Sequence, residues 1–166
     1  MNIKLNKNLY GFDDLFNQLI ELDNVSKLPS KFLISGEKGI GKFTFAYHLI
    51  NFFLSKKEEY KYDIKNYKIN DKNKSFQLVS KNCHPNFFLI DVDQGKSNIS
   101  IDRVRSSFDF INKSSLNNEK RFILINNLDQ LNLNSANSLL KVLEEPNEKL
   151  IFILIHNSSS RIIDTI

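Results

Sequence analysis

The fold of this 166-residue chain is constrained most strongly by short, continuous apolar segments that alternate with stretches of helical period. The apolar segments are residues 32–35, 87–90, 121–125 and 150–155. Strands that are apolar along their whole length are typical of parallel sheets with both faces covered. The alternation of such strands with helices therefore predicts an α/β protein whose parallel sheet lies between two helical layers.

The segments between the strands carry apolar residues at helical spacing. They predict helices over residues 12–22, 43–54 and 101–111. Residues 56–82 differ, because they are rich in Lys, Asn, Asp and Tyr and show no clear period. We expect them to form a solvated or mobile polar insertion within one domain that spans residues 1–166.

A further helix is predicted after residue 132. Asn132 and Asn134 are both candidate N-caps, because a short polar side chain there can accept a backbone N–H. Pro146 prevents the helix from continuing. The apolar face of this amphipathic helix comprises Ala136, Leu139, Leu140 and Leu143.

Composition narrows the class of protein. Cys83 is the single cysteine, so the chain has no internal disulfide and no cysteine cluster for zinc. The N-terminus lacks the apolar core of a signal peptide, and no apolar run approaches the roughly 20 residues that cross a bilayer. We therefore expect a cytoplasmic protein. The net charge of +4 favours polyanionic partners but is too small to identify one.

Residues 36–42 read Gly-Glu-Lys-Gly-Ile-Gly-Lys and match the phosphate-binding pattern G-x-x-x-x-G-K between a predicted strand and a predicted helix. Glycines let successive N–H groups face a phosphate, and Lys42 supplies a positive charge. The alternative is a glycine-rich turn with an exposed lysine. The candidate nucleotide-binding residues of this segment are Gly36, Gly39, Ile40, Gly41, Lys42, Phe43 and Thr44.

The loop departs from the full pattern at Phe43, where a Ser or Thr hydroxyl would bind Mg²⁺. Thr44 follows one residue later and would point about 100° away around the helix. We therefore expect Mg²⁺ to be held poorly.

Residues 136–146 resemble the A-N-x-L-L-K-x-L-E-E-P signature of the clamp-loader ATPases in the AAA+ family. Helix packing explains the leucines of this run but not its Asn137, Lys141, Glu144 and Glu145. Residues 121–125 match the Walker B strand of the family, and residues 152–157 and 161–166 match its next strand and the R-L-L-P-T-I lead-in. Within the clamp loaders, the chain resembles the delta-prime subunits of bacterial DNA polymerase III.

The resemblance extends from residue 9 to residue 166, except for residues 56–82. It implies the P-loop nucleoside triphosphatase fold. Since the family continues into another strand, a helical lid and an oligomerisation domain, we expect Ile166 to end an incomplete AAA+ domain. The missing strand would pair with residues 32–35, so we expect an exposed sheet edge and reduced solubility.

The resemblance also locates Asn126 and Asn127 where a working Walker B motif has its Asp and Glu. Asparagine carries no negative charge and cannot take up a proton near neutral pH, so efficient hydrolysis is not expected. We therefore assign no catalytic residue and no metal ligand. Asp129 matches an acid that starts the following helix, and we interpret it as a cap. Asn157 matches the sensor 1 position, where it would touch a phosphate; the alternative is that it caps a turn.

Together with these departures, the resemblance implies a stator subunit of the clamp loader that is non-hydrolysing or binds a nucleotide such as ATP only weakly. The resemblance implies partners: other clamp-loader subunits, and through them the sliding clamp and primed DNA. The leading alternative is an active AAA+ ATPase in which Thr44 and Asp129 replace the missing ligands. An unrelated P-loop kinase or nucleotide switch is disfavoured by residues 139–146, and a module that binds DNA alone lacks a base-reading motif.

Overall fold

The computed structural model describes residues 6–113, 119–144 and 149–160. The chain divides into two compact units: the first comprises residues 1–29 and 43–84, and the second comprises residues 30–42 and 85–166. The elements in chain order are α1 (Asp13–Asn24), β1 (Lys31–Gly36), α2 (Lys42–Leu54), α3 (Lys74–Ser80), β2 (Phe87–Ile90), α4 (Ile101–Asn112), β3 (Arg121–Ile125), α5 (Leu133–Glu144) and β4 (Leu150–Asn157), with a 3₁₀ turn at Leu128–Gln130.

The second unit is built on a sheet of four parallel strands in the order β1-β4-β3-β2. This confirms the predicted α/β class with a parallel sheet. Every residue of β3 is buried: four of its five residues are apolar, as expected for a strand covered on both faces, and the fifth is Arg121. β1 lies at the edge, and its Leu33 is 50% exposed. The reduced solubility expected from an exposed edge stays a prediction.

Helices α4 and α5 share one apolar cluster with the sheet. Val104 and Ile111 come from α4, and Ala136, Leu139 and Val142 from α5. The strands contribute Ile90, Ile123, Ile125, Leu150, Phe152 and Leu154. The predicted apolar faces of both helices therefore point into the core, although Leu140 and Leu143 are only half-buried.

The start of α5 distinguishes between its two candidate caps. The Asn132 side-chain oxygen accepts the Ser135 N–H at 2.9 Å, whereas Asn134 lies inside the helix. Asn132 is therefore the cap. The predicted stop at Pro146, like Glu145, lies outside the described residues.

Arg121, the first residue of β3, binds the C-terminal end of α4. Its side chain is 3% exposed and donates hydrogen bonds to the carbonyls of Phe110, Ile111 and Lys113. The guanidinium carbon also lies 4.0 Å from the centre of the Phe110 ring. These contacts satisfy carbonyls that a helix end leaves without intrahelical partners. Sequence analysis did not identify this role.

The first unit has an aromatic core. Phe16 of α1 is fully buried and its ring contacts Phe45 and Phe52 of α2 and the Tyr62 ring beyond it. His48 of α2 is also fully buried, within 2.9 Å of the Tyr62 hydroxyl and 3.0 Å of the Asn6 carbonyl oxygen. The predicted helices 12–22 and 43–54 thus correspond to α1 and α2.

The expectation that residues 56–82 are simply solvated is corrected by the structure. The segment is polar in composition, but it contains α3 and buries Tyr62, Ile69 and Val79. Its order comes from polar contacts that periodicity does not reveal, such as the Asn73 side chain that caps α3 by accepting the Phe76 N–H at 2.7 Å. The single domain predicted for residues 1–166 stays a prediction.

Within residues 6–113, 119–144 and 149–160, every helix is too short or too polar to span a bilayer.

Candidate functional site

The loop between β1 and α2 turns at two glycines with positive φ angles. Gly39 and Gly41 have φ angles of +91° and +95°, in a region that side chains rarely adopt. Ile40 between them is half-exposed. The sequence of glycines is therefore required by the path of the loop itself.

Lys42 is placed inside this loop. It is the first residue of α2 and is 7% exposed. Its ammonium donates to the carbonyl oxygens of Gly36 at 2.7 Å and Glu37 at 2.5 Å. Lys42 is therefore not the exposed lysine of the alternative, because its charge lies within the loop and is hydrogen-bonded to it, while phosphate binding by the loop stays a prediction.

Phe43 packs as an apolar side chain. Its ring lies 4.7 Å from the ring of Tyr47, one helical turn further along α2. Thr44 is half-buried on the next position of the helix. A phenyl ring provides no oxygen for a metal ion, so position 43 lacks the hydroxyl that the full phosphate-loop pattern has.

The two asparagines after β3 share one carboxylate. The side-chain amides of Asn126 and Asn127 donate to the Asp91 oxygens at 3.0 Å and 2.9 Å. Asp91 follows β2 and also accepts the Val92 N–H at 2.7 Å. Asn127 adopts a left-handed conformation, with φ 53° and ψ 52°, which asparagine tolerates better than most residues.

This arrangement, the Asp91 clamp, joins the ends of two neighbouring strands. Sequence analysis identified the asparagines but missed Asp91. The available signal was an acid directly after a buried strand, since the carboxyl ends of parallel strands meet at one edge of the sheet. The clamp engages both amides as hydrogen-bond donors to a protein carboxylate, and amide N–H₂ groups cannot bind a cation.

Asn157 lies beside the loop. It ends β4 and is the register partner of Gly36 on β1. Its side-chain oxygen accepts the Ser159 N–H at 3.3 Å, and its amide donates to the Ser160 hydroxyl at 3.4 Å. These two hydrogen bonds are the ones expected if Asn157 caps a turn. Contact between Asn157 and a phosphate stays a prediction.

The preceding register pair, Ser35 on β1 and His156 on β4, connects β1 to the turn after β4. His156 Nδ1 lies 3.1 Å from the Ser35 hydroxyl, and its Nε2 donates to the Ser160 carbonyl at 3.0 Å. The Gly36 carbonyl that Lys42 contacts also accepts the Ser158 N–H at 3.0 Å. The loop is thus anchored to the end of β4 on the side where Asn157 lies.

Asp129 does not have the cap role that the sequence suggested. It lies in the 3₁₀ turn Leu128–Gln130, and α5 is capped by Asn132 instead. Among the residues that the structure describes, no group of three His, Cys, Asp or Glu side chains has the arrangement to hold a metal ion. Cys83 is exposed.

Known proteins resemble this chain in sequence. The family model described as DNA polymerase III, delta subunit, matches residues 12–166. DNA polymerase III subunit delta' of Bacillus subtilis is 34% identical over 142 residues, which cover 84% of this chain and 40% of that protein. The subunit of the same name from Pseudomonas aeruginosa is 31% identical over 93 residues, which cover 56% of this chain and 28% of that protein.

A solved structure resembles it in fold. A DNA polymerase III gamma subunit-related protein of Thermotoga maritima matches 89% of this chain and 42% of its own, with a TM-score of 0.61 and 21% identity. At this identity the similarity concerns the fold alone. The matched regions make up 28% and 40% of the two bacterial relatives, so the chain spans well under half of their length.

Proposed function

This chain belongs to the family described as DNA polymerase III, delta subunit, and from that membership we propose that it serves as a delta-prime-type stator of the clamp loader. In this role it binds a nucleotide without hydrolysing it efficiently and supports the assembly that loads the sliding clamp on primed DNA. Its partners are the other clamp-loader subunits, and its compartment is the cytoplasm.

Nucleotide binding is supported by the loop at residues 36–42. Gly39 and Gly41 adopt the conformations that turn backbone N–H groups along a phosphate, and α2 begins at Lys42. Lys42 would contact the outer phosphates, Ile40 and Thr44 would flank them, and Asn157 would approach from β4. ATP, when bound, would supply the phosphate charge that these donors neutralise.

The Asp91 clamp is the single observation on which the proposed lack of ATP hydrolysis depends. Hydrolysis needs a carboxylate to hold the metal and a second one to orient the attacking water. Positions 126 and 127 instead donate amide hydrogens to Asp91 at 3.0 Å and 2.9 Å. Mg²⁺ therefore has no charged ligand at these positions, and water has no base.

The alternative of an active ATPase needs Asp129 as a replacement ligand. Asp129 belongs to the 3₁₀ turn after the clamp and Phe43 occupies the hydroxyl position of the loop, so two separate parts of the site would need new ligands. A P-loop kinase or nucleotide switch is disfavoured by family membership.

The test measures ATP binding by calorimetry and phosphate release by the full chain, alone and mixed with the other clamp-loader subunits and primed DNA. We expect binding that is lost in Lys42→Ala, with turnover at background. Lys38→Ala is the matched control, because Lys38 is an exposed lysine of the same loop. Circular dichroism of Lys42→Ala is needed, since the substitution also removes two hydrogen bonds to loop carbonyls.

Robust Mg²⁺-dependent hydrolysis by the isolated chain would contradict the proposal in favour of the active ATPase. Unchanged ATP affinity in a folded Lys42→Ala variant would show that the loop is structural.

A further inference from the structure

The excess positive charge of the chain is concentrated in one segment. Residues 56–82 contain eight lysines and four acidic residues, a net charge of +4 that equals the net charge of the whole chain. The other 15 basic and 15 acidic residues cancel. All eight lysines are exposed. A compositional bias towards lysine along the whole chain would not produce this localisation.

Two of the four acidic residues of the segment, Glu58 and Asp63, are directed towards local N–H donors. The Glu58 carboxylate accepts the N–H groups of Lys74 at 2.8 Å and Ser75 at 2.9 Å, at the start of α3. Asp63 accepts the backbone N–H of Asn66 at 3.2 Å and its side-chain amide at 2.7 Å. The Asn66 side chain is the main cause that lowers the pKa of Asp63, so this carboxylate stays ionised. These two acids organise the segment. A third acid, Asp71, pairs with Lys7, and Lys56 pairs with Asp23 outside the segment, so the other seven lysines carry its exposed positive charge.

The fold places the Lys72 ammonium beside an exposed aromatic ring, with two more lysines close by along the backbone. The Asn73 amide donates to the Tyr60 carbonyl at 2.8 Å, and the Lys72 ammonium lies 5.2 Å from the centre of the Tyr60 ring. Lys74 is joined through its N–H to Glu58, two residues before Tyr60. Tyr60 is 37% exposed. We call Tyr60, Lys61, Lys72 and Lys74 the Tyr60 surface.

We propose that the Tyr60 surface binds single-stranded nucleic acid, with the lysines on backbone phosphates and the Tyr60 ring stacked on a base. Clustered lysines attract a phosphodiester chain by releasing its counterions. An exposed aromatic ring among them offers a stacking platform that accepts any base. This binding is independent of a nucleotide at residues 36–42 and of assembly with partners.

A nucleic acid fits this surface better than an anionic membrane does. Membrane-surface helices present an extended apolar face opposite their charges. The one helix of the segment, α3, has seven residues, and the Tyr60 surface precedes it or lies at its first turn. A single ring with an ammonium group beside it matches a base next to a backbone phosphate.

The experiment measures fluorescence anisotropy of a labelled oligothymidylate of roughly 20 nucleotides with the full chain, between about 50 and 200 mM salt. The test variant is Lys61→Gln/Lys72→Gln/Lys74→Gln. The matched control is Lys27→Gln/Lys31→Gln/Lys113→Gln, which lowers the net charge equally at exposed lysines outside the segment. We expect the test variant to lose about tenfold or more in affinity and the salt slope to fall by about 2, since each phosphate contact on a single strand contributes about 0.7.

Stacking is tested separately at Tyr60. Tyr60→Ala should weaken binding by roughly 5- to 150-fold, which is the loss in affinity expected when one aromatic ring that stacks on a base is removed. Tyr60→Phe keeps the ring and should retain the affinity. This comparison also decides the proposal if the triple lysine variant fails to fold.

Three results would overturn the proposal. Equal losses in the two triple variants would show that binding follows net charge alone. Equal affinity of Tyr60→Ala and Tyr60→Phe would remove the stacking role. Binding to vesicles containing anionic phosphatidylglycerol without binding to the oligonucleotide would identify a membrane surface instead.

Discussion

At the scale of single residues, His48 shows how burial fixes a protonation state. Its Nε2 faces the Asn6 carbonyl oxygen and must therefore donate, which leaves Nδ1 to accept the Tyr62 hydroxyl hydrogen. The neutral imidazole is thus hydrogen-bonded at both nitrogens. Burial lowers the pKa of His48, because the imidazolium loses its hydration.

This lowered pKa predicts a loss of stability in mild acid. Below about pH 6.5 the unfolded chain protonates His48 while the folded chain resists, so the free energy of unfolding falls as the pH falls. We expect His48 to account for a decrease of about 1 kcal/mol between about pH 7.5 and about pH 5.5. Urea unfolding of the parent and of His48→Gln measures it, with His84→Gln as control. A decrease of the same size in His48→Gln would assign the effect to other groups.

The Asp91 clamp makes a second prediction at this scale. Restoring Walker B carboxylates with Asn126→Asp/Asn127→Glu replaces two donors by like charges next to Asp91, so we expect a loss of about 2–4 kcal/mol in the free energy of unfolding. Adding Asp91→Asn should recover most of it, because the donor and acceptor roles are then exchanged. Adding Asp93→Asn is the control and should not. A double variant as stable as the parent would show that the clamp contributes little.

At the scale of elements, α5 depends on a local signal that can be measured. Asn132→Ala removes the cap of the Ser135 N–H, so the free energy of unfolding should fall by about 1 kcal/mol. Asn134→Ala is the matched control: the residue is exposed within the helix, where alanine is the better helix former, and its effect should be near zero or slightly stabilising. Thermal or urea unfolding of both variants measures the two changes in the free energy of unfolding. The reverse order would mean that Asn134 begins the helix.

Elements were predictable where the side chains repeat with the period of the structure. β2 and β3 have the predicted bounds because their residues are apolar apart from Arg121 at the start of β3, and α4 differs by one residue from the predicted range. β4 extends to Asn157, two residues beyond the apolar run. His156 and Asn157 join the strand through backbone pairing with β1, a contact between distant residues that no local pattern contains.

At the scale of the whole molecule, sequence analysis failed where order comes from polar side chains. Residues 56–82 have no period, yet Tyr62 and Ile69 are buried and Glu58 and Asn73 organise the start of α3. The candidate site also has one part with a local sequence pattern and one part without. The loop at residues 36–42 has a local pattern and was identified, whereas Asp91 is 35 residues from Asn126 and becomes its partner only through the sheet.

The contacts of Arg121 affect how the second unit unfolds locally. One side chain of β3 supplies hydrogen bonds to three carbonyls at the end of α4. If that helix end frays, a buried guanidinium loses its partners, which is far more costly than the fraying of an ordinary helix terminus. We therefore expect the last turn of α4 and the start of β3 to unfold as one cooperative unit, so that their amide hydrogens exchange with solvent together.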